Sequence, residues 1–200
     1  DLELLSILAT NAGVAIKNAQ LYAAEKKAKE LSAILDISKE ITSTLDLQQV
    51  LFTIVNLASR VIEYDRCAIA LEHQGLFDLS AVSGEEELDS SNFPALSGIL
   101  TWAGNTGREV WIRDKESFLQ SKDIPDEYRR YFESEEMQAV WVVPLKDEEG
   151  MLGALAIEGK TPHFIADSKF QMLRILVNQT TVAIRNAQLY SSVPMGNVLE

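Results

Sequence analysis

One helix is written twice in this chain. Val14-Ala15-Ile16-Lys17-Asn18-Ala19-Gln20-Leu21-Tyr22 returns as Val182-Ala183-Ile184-Arg185-Asn186-Ala187-Gln188-Leu189-Tyr190, with Lys17 against Arg185 as the single change. Extended backwards, the match pairs Leu5 with Leu173, Ile7 with Ile175 and Leu8 with Leu176 at the same spacing of 168 residues. Recurrence of a whole helix at one domain length marks tandem units of one kind. Residues 1–22 are therefore expected to be the last helix of a preceding domain. The rest is expected to be one complete domain of the same type, closing on the equivalent helix.

Nothing after Tyr22 stops the first copy. Ala23 to Glu40 contains neither Gly nor Pro, is rich in Ala, Lys, Glu and Leu, and keeps small or apolar residues at Leu21, Ala24, Ala28, Leu31 and Leu35. Propensity and spacing predict one helix of about 40 residues, roughly 60 Å long. Such a helix cannot pack wholly against one small domain, and its narrow apolar seam suits a second copy of itself. A parallel homodimer is expected. The second copy differs, because Pro194 and Gly196 follow Tyr190 within six residues. Proline inside a helix costs about 3 kcal/mol, so a rigid helical continuation is not expected there.

Charge narrows the partners. The 30 acidic against 18 basic residues give a net charge of −12, which repels phosphate backbones and anionic headgroups. Neither nucleic acid nor direct membrane contact is expected. The acid gathers at Glu85 to Glu87, Glu133 to Glu136 and Asp147 to Glu149, near predicted turns and helix ends, where it reads as solvated loops. No apolar run approaches the roughly 20 residues of a membrane span. The lone Cys67 excludes an intramolecular disulfide and fits a reducing compartment, so a cytoplasmic location is expected.

Periodicity orders the rest. Asp46 with Gln49 makes a capping box, and Leu47, Val50, Leu51, Ile54, Val55, Ala58, Val61 and Ile62 trace a helix ending near Tyr64. Residues 66–72 alternate as a strand, His73-Gln74-Gly75 turns, and residues 76–82 return as the hairpin partner. Residues 96–106 predict a helix closed by Gly107, residues 109–113 a strand, and Pro125 opens a helix with Tyr128, Tyr131 and Phe132 on its apolar face. A second hairpin joins 138–146 to 151–158, and a final helix runs from about Asp167 to Ser192. Strands joined mainly by hairpins predict an α+β fold built on a central antiparallel sheet. The terminal helices should lie side by side on one face, with the segment between residues 84 and 136 covering the other.

Several motifs now combine. Asp65-Arg66-Cys67-Ala68-Ile69-Ala70-Leu71 follows the helix from Leu47. Ser97 to Asp114 holds a Gly-rich helix, Thr106-Gly107 and a strand ending in Asp. Val143-Pro144-Leu145, Gly150, Gly153 and the Asn-Ala-Gln-Leu-Tyr helix follow. Together these resemble a GAF domain, over residues 30–192. The resemblance implies that 1–22 is the last helix of a preceding GAF domain, 23–44 a continuous linker helix, 45–192 the GAF domain, and 193–200 a tail or junction to an output domain. It also implies a sensory module of the kind found in tandem inside bacterial signalling proteins.

The residues depart from the family's known chemistries. GAF domains that bind cyclic nucleotides carry an Asn-Lys pair after the last long strand, then a Phe and an Asp-Glu pair. Here Gly159, Lys160, Phe164, Asp167 and Ser168 stand nearest, without the Asn or the final acid and one residue short. Bilin-binding members use a Cys often followed by His, whereas Cys67 lies inside the first strand with no adjacent His, like a packed small hydrophobe. Methionine sulfoxide reduction needs an attacking and a resolving Cys, and there is one. Haem or metal needs clustered ligands, while His73 and His163 fall in separate turns. Hydrolysis lacks a nucleophile elbow, and Gly104 to Arg108 lacks the ending of a phosphate loop. No catalytic residue, metal ligand, cyclic nucleotide, bilin or haem is expected.

Trp102, Trp111, Trp141, Tyr128, Tyr131 and Phe132 lie mostly in the segments that cap the sheet. They serve either as core or as the walls of a small pocket. In the pocket reading, whose location the resemblance supports, the site lies beneath residues 96–136. Trp111 or Trp141 forms its floor, Tyr128, Phe132 and Met137 its walls, and Arg113 or Asp114 its polar contacts. Trp141→Ala then abolishes binding. The expected function is a non-enzymatic sensory domain that binds a small molecule and relays the signal through terminal helices in a dimer. A second reading is a ligand-free dimerisation or relay module; a third, a redox or cofactor enzyme, is opposed by the Cys and His content.

Overall fold

The computed structural model describes residues 2–41, 46–84, 90–120 and 124–192. The acidic run Glu85 to Glu87, the end of the expected linker at 42–44 and the tail at 193–200 lie outside them. Residues 1–37 and 38–200 form two units and are taken in turn. The first consists of helix α1 (Leu2–Ile41) up to residue 37, and the helix has the 40-residue length that its Gly- and Pro-poor sequence predicts. Leu8, Ile16, Leu21, Leu31 and Leu35 are exposed on it, as are Ala24 and Ala28.

In the second unit the Asp46 carboxylate accepts from the Gln49 amide at 2.8 Å and opens α2 (Leu47–Leu57). Val50, Leu51, Ile54 and Val55 are wholly buried. The α-helix stops at Leu57, earlier than periodicity suggests, because residues 58–60 tighten into a 3-10 turn. The Tyr64 hydroxyl then donates back to the Val55 carbonyl. Strands β1 (Arg66–His73) and β2 (Leu76–Val82) meet at Gln74 and Gly75, both at positive φ (53° and 82°), the requirement of a tight hairpin turn. Helix α3 (Pro94–Thr106) carries Pro94 in its first turn and ends on Gly107 at φ 63°.

Strand β3 (Val110–Ile112) is shorter than the sequence suggests. Asp114 instead caps a helix that periodicity does not announce, α4 (Lys115–Leu119), accepting from the Ser117 amide at 2.9 Å. Helix α5 (Asp126–Ser134), strands β4 (Ala139–Asp147) and β5 (Gly150–Gly159), and helix α6 (Asp167–Ser192) complete the domain. The sheet order is β2-β1-β5-β4-β3, with every pair antiparallel, the predicted α+β arrangement.

Alternation along the strands divides the core into two layers. Ala68, Ala70, Val140, Val142, Ala154 and Ala156 share a core with residues of α3 and α5. Cys67, Ile69, Trp141, Val143, Leu155 and Ile157, also buried, turn to the opposite face, where α2 and α6 pack together. Gly153 is obligatory, since a Cβ there would sit 2.1 Å from the Ala70 carbonyl oxygen of the paired strand. Arg185 of α6 donates to Asp147 at 2.7 and 2.8 Å and pairs with Glu149 at 3.4 Å. The Arg185 hydrogen bond holds the Asp147 carboxyl down to about 2. This acidic turn, which composition reads as a solvated loop, is a clamp for the last helix.

Candidate functional site

The two central strands place alanine opposite alanine on their cap-facing side: Ala68 against Ala156, and Ala70 against Ala154. Side chains this short recess the sheet beneath the cap. Tyr128, Tyr131 and Phe132 of α5 are wholly buried there, with Leu96, Ile99 and Leu100 of α3. The Trp102 ring meets Tyr128 edge-on at 5.3 Å and Phe118 does so at 6.2 Å. Amid this apolar packing the Tyr128 hydroxyl is buried without a hydrogen-bond partner, and burial pushes its phenol upward. Leaving such a group unsatisfied costs roughly 1–3 kcal/mol.

A charged cluster joins the same cap to the sheet. Arg66 and Glu158 are register partners on β1 and β5. Glu158, with no exposed surface, accepts from Arg66 Nη2 at 2.9 Å and from Arg66 Nε; the Tyr131 hydroxyl also donates to it. Arg66 reaches Glu135 at 3.0 Å, and its guanidinium lies 5.4 Å from the Phe93 ring. One side chain thus touches β5, the C-terminal cap of α5 and the residue preceding α3. Burial pushes the Glu158 carboxyl up against the opposing pull of Arg66 and Tyr131. Burial, then the Glu158 charge, push the Tyr131 phenol up. Burial acts against the Arg66 charge, but Glu158 and Glu135 hold it firmly protonated.

Of the residues singled out from sequence, Tyr128, Phe132 and Met137 belong to this cap-side core. Trp111 and Trp141 do not. They are register partners on β3 and β4, and strand alternation sends both indoles to the face covered by α6. There Trp111 stacks on Phe170 at 4.2 Å and Trp141 meets the same ring edge-on at 5.3 Å. Arg113 is exposed, its guanidinium 4.0 Å from the Trp111 ring centre, and Asp114 is spent capping α4. The floor beneath the cap is alanine and valine, not tryptophan. Arg66 and Glu158 are not among the residues that the sequence singles out, although a signal exists: Glu158 follows Ala154 and Ala156 in steps of two, so it points where they point.

Outside the cap, between α3 and α5, lies a cleft of about 450 Å³ lined by Pro94, Ala95, Gly98, Glu127, Arg130, Glu133 and Ser134. Cys67 lies on the α2 and α6 face, where burial pushes its thiol up and disfavours the reactive thiolate. Among the described residues no group of three His, Cys, Asp or Glu side chains is placed to hold a metal. No described helix is long and apolar enough to cross a membrane.

The sequence profile of the GAF domain matches residues 46–184. The Nif-specific regulatory protein of Herbaspirillum seropedicae is 28% identical over 171 residues, which cover 82% of this chain and 30% of that protein. The chain thus spans less than a third of that relative. Among solved structures, the GAF domain from Acinetobacter phosphoenolpyruvate-protein phosphotransferase superposes with a TM-score of 0.62 at 18% identity, covering 82% of this chain and 98% of that one. Free methionine-R-sulfoxide reductase from Neisseria meningitidis, solved with its substrate, gives 0.61 at 14% identity, covering 82% and 93%. At these identities the two structures establish the fold alone. The profile match, the antiparallel sheet and its two helical layers agree: this chain belongs to the GAF-domain family.

Proposed function

We propose that this GAF domain is a non-enzymatic sensor in a dimeric signalling protein, taking a small molecule between its sheet and the α3/α5 cap. The observation that carries this reading is the alanine-rich core beneath the cap, in which the Tyr128 hydroxyl is buried without a partner and which a charged cluster ties to the sheet. The same strands carry α6 on their other face. A ligand that offers an acceptor to Tyr128, or competes for Arg66, favours one position of the cap. Because β4 and β5 turn Val142 and Ala156 to the cap but Trp141 and Ile157 to the α6 face, a shift of the sheet alters the seat of α6. Differential affinity for two such states is all that coupling requires.

The name of the regulatory relative supports a signalling context. Within it, residues 1–22 belong to a preceding GAF domain, the seam at Leu21, Ala24, Ala28, Leu31 and Leu35 pairs two copies in parallel, and an output domain follows in a cytoplasmic protein. A second reading, ligand-free relay, draws on the filling of the recess by Tyr128, Tyr131 and Phe132. Native mass spectrometry followed by denaturing mass spectrometry decides between them. The sensor reading expects a dimer carrying extra mass that denaturation releases and that Tyr128→Phe reduces. A bare dimer favours ligand-free relay, and a bare monomer contradicts the dimeric mechanism.

A further inference from the structure

Helix α6 shows what the repeated sequence does when a sheet lies beneath it. Leu176, Val177, Thr180, Ala183, Ile184 and Ala187 are all buried. The residues 168 positions earlier are Leu8, Ala9, Ala12, Ala15, Ile16 and Ala19, every one apolar and every one exposed on α1, Leu8 at 58% and Ile16 at 60%. The exchange of threonine for smaller residues trims the face without removing a hydrogen bond across it. Thr180 and Thr181 donate to the Leu176 and Val177 carbonyls of their own helix at 2.8 and 2.9 Å, so Ala12 and Gly13 leave no group across the interface unpaired. On the domain-packed α6, by contrast, Val182, Leu189 and Tyr190 are exposed, and they correspond to Val14, Leu21 and Tyr22 of α1. The single change in the repeated nine residues keeps the charge that clamps α6 to the acidic turn, as Lys17 for Arg185.

We infer that the first half of α1 is a sheet-covering helix whose Leu8, Ala12, Ala15, Ile16 and Ala19 face docks on the sheet of a second domain of this fold, with Lys17 meeting an acidic β-turn there. The inference rests on the tandem arrangement proposed above and names the surface that arrangement uses. Two faces of one helix are thereby separated: an inner one that the sheet requires, and an outer one, Val14, Leu21 and Tyr22, that it leaves free.

Melting of the complete polypeptide that contains this sequence, with aspartate placed on each face, tests the assignment. Within the present domain Ile184→Asp is expected to abolish cooperative melting and Val182→Asp to leave it nearly unchanged, which calibrates the pair. Ile16→Asp should then abolish or sharply lower the transition of the preceding domain and leave that of residues 46–192 in place, while Val14→Asp alters neither. Lys17→Glu, a milder change at the rim, should lower the same transition by a smaller amount. Equal effects of Ile16→Asp and Val14→Asp, or no effect of Ile16→Asp on a folded preceding domain, would overturn the docking while leaving the tandem reading intact. Absence of any folded GAF-type domain before α1 would overturn both. An Ile16→Asp change that lowers melting of the 200-residue chain alone would assign the face to a second copy's sheet, and would overturn the inference too.

Discussion

Arg66→Leu lowers the stability of the domain by about 3–5 kcal/mol at neutral pH, the usual consequence of removing one partner of a buried ion pair. The reason lies in what remains. Glu158 has no exposed surface and loses two of its donor contacts, Arg66 Nε and Nη2, keeping only the Tyr131 hydroxyl. Glu135 and the Phe93 ring also lose the guanidinium that ties both cap helices to the sheet.

The loss depends on pH with a definite sign. Burial already raises the Glu158 carboxyl above its ordinary range, so the stability linked to its proton is present below the unfolded pKa and is lost as pH rises through the folded one. Without Arg66 the carboxyl rises further, and its ionisation near neutrality becomes the main burden. Urea unfolding should therefore show the gap between variant and parent widest at neutral pH and narrower in mild acid. Glu158→Gln should lose less than Arg66→Leu, because it leaves no buried carboxylate behind. A gap that stays constant across that range would show that lost packing, not stranded charge, accounts for the effect.

Trp141→Ala is the second large effect, and it reports on the fold, not on the recess. Trp141 is the largest wholly buried side chain; it packs against Phe170 of α6 and donates from Nε1 to Glu109 at 2.8 Å. Glu109 in turn holds Arg174 at 2.7 Å. Emptying this site costs about 3–5 kcal/mol, equivalent to a fall in melting temperature of roughly 6–20 °C for a chain of this size. The loss should appear first as faster exchange in α6. A Trp141→Ala protein that keeps its melting temperature, yet loses a bound molecule, would put the indole under the cap after all.

The fold was largely legible because its signals are local. Asp46 with Gln49, the Gln74-Gly75 turn, Gly107 and the two hairpins each announce themselves within a few residues. Helix α4 did not, since five residues give no periodicity, and Asp114 looked like a free polar group when it is a cap. The site was less legible for a related reason. Both faces of β4 are buried, so alternation separates Val140 and Val142 from Trp141 but does not say which set meets the cap. That depends on packing between elements distant in sequence. Arg66 and Glu158 stand 92 residues apart, and only the register of β1 against β5 brings them together. The repeated helix was legible as a repeat, but its two faces separated only once α6 was seen in place.

Hydrogen exchange over Val182 to Tyr190 in the purified protein, before and after any co-purified small molecule is stripped by unfolding and refolding, tests the central claim most directly. Sensing beneath the cap with relay through the sheet predicts that protection changes together in α3, α5 and α6, and that Tyr128→Phe weakens the difference. Changes confined to α3 and α5, with α6 exchanging identically in both states, would contradict the relay.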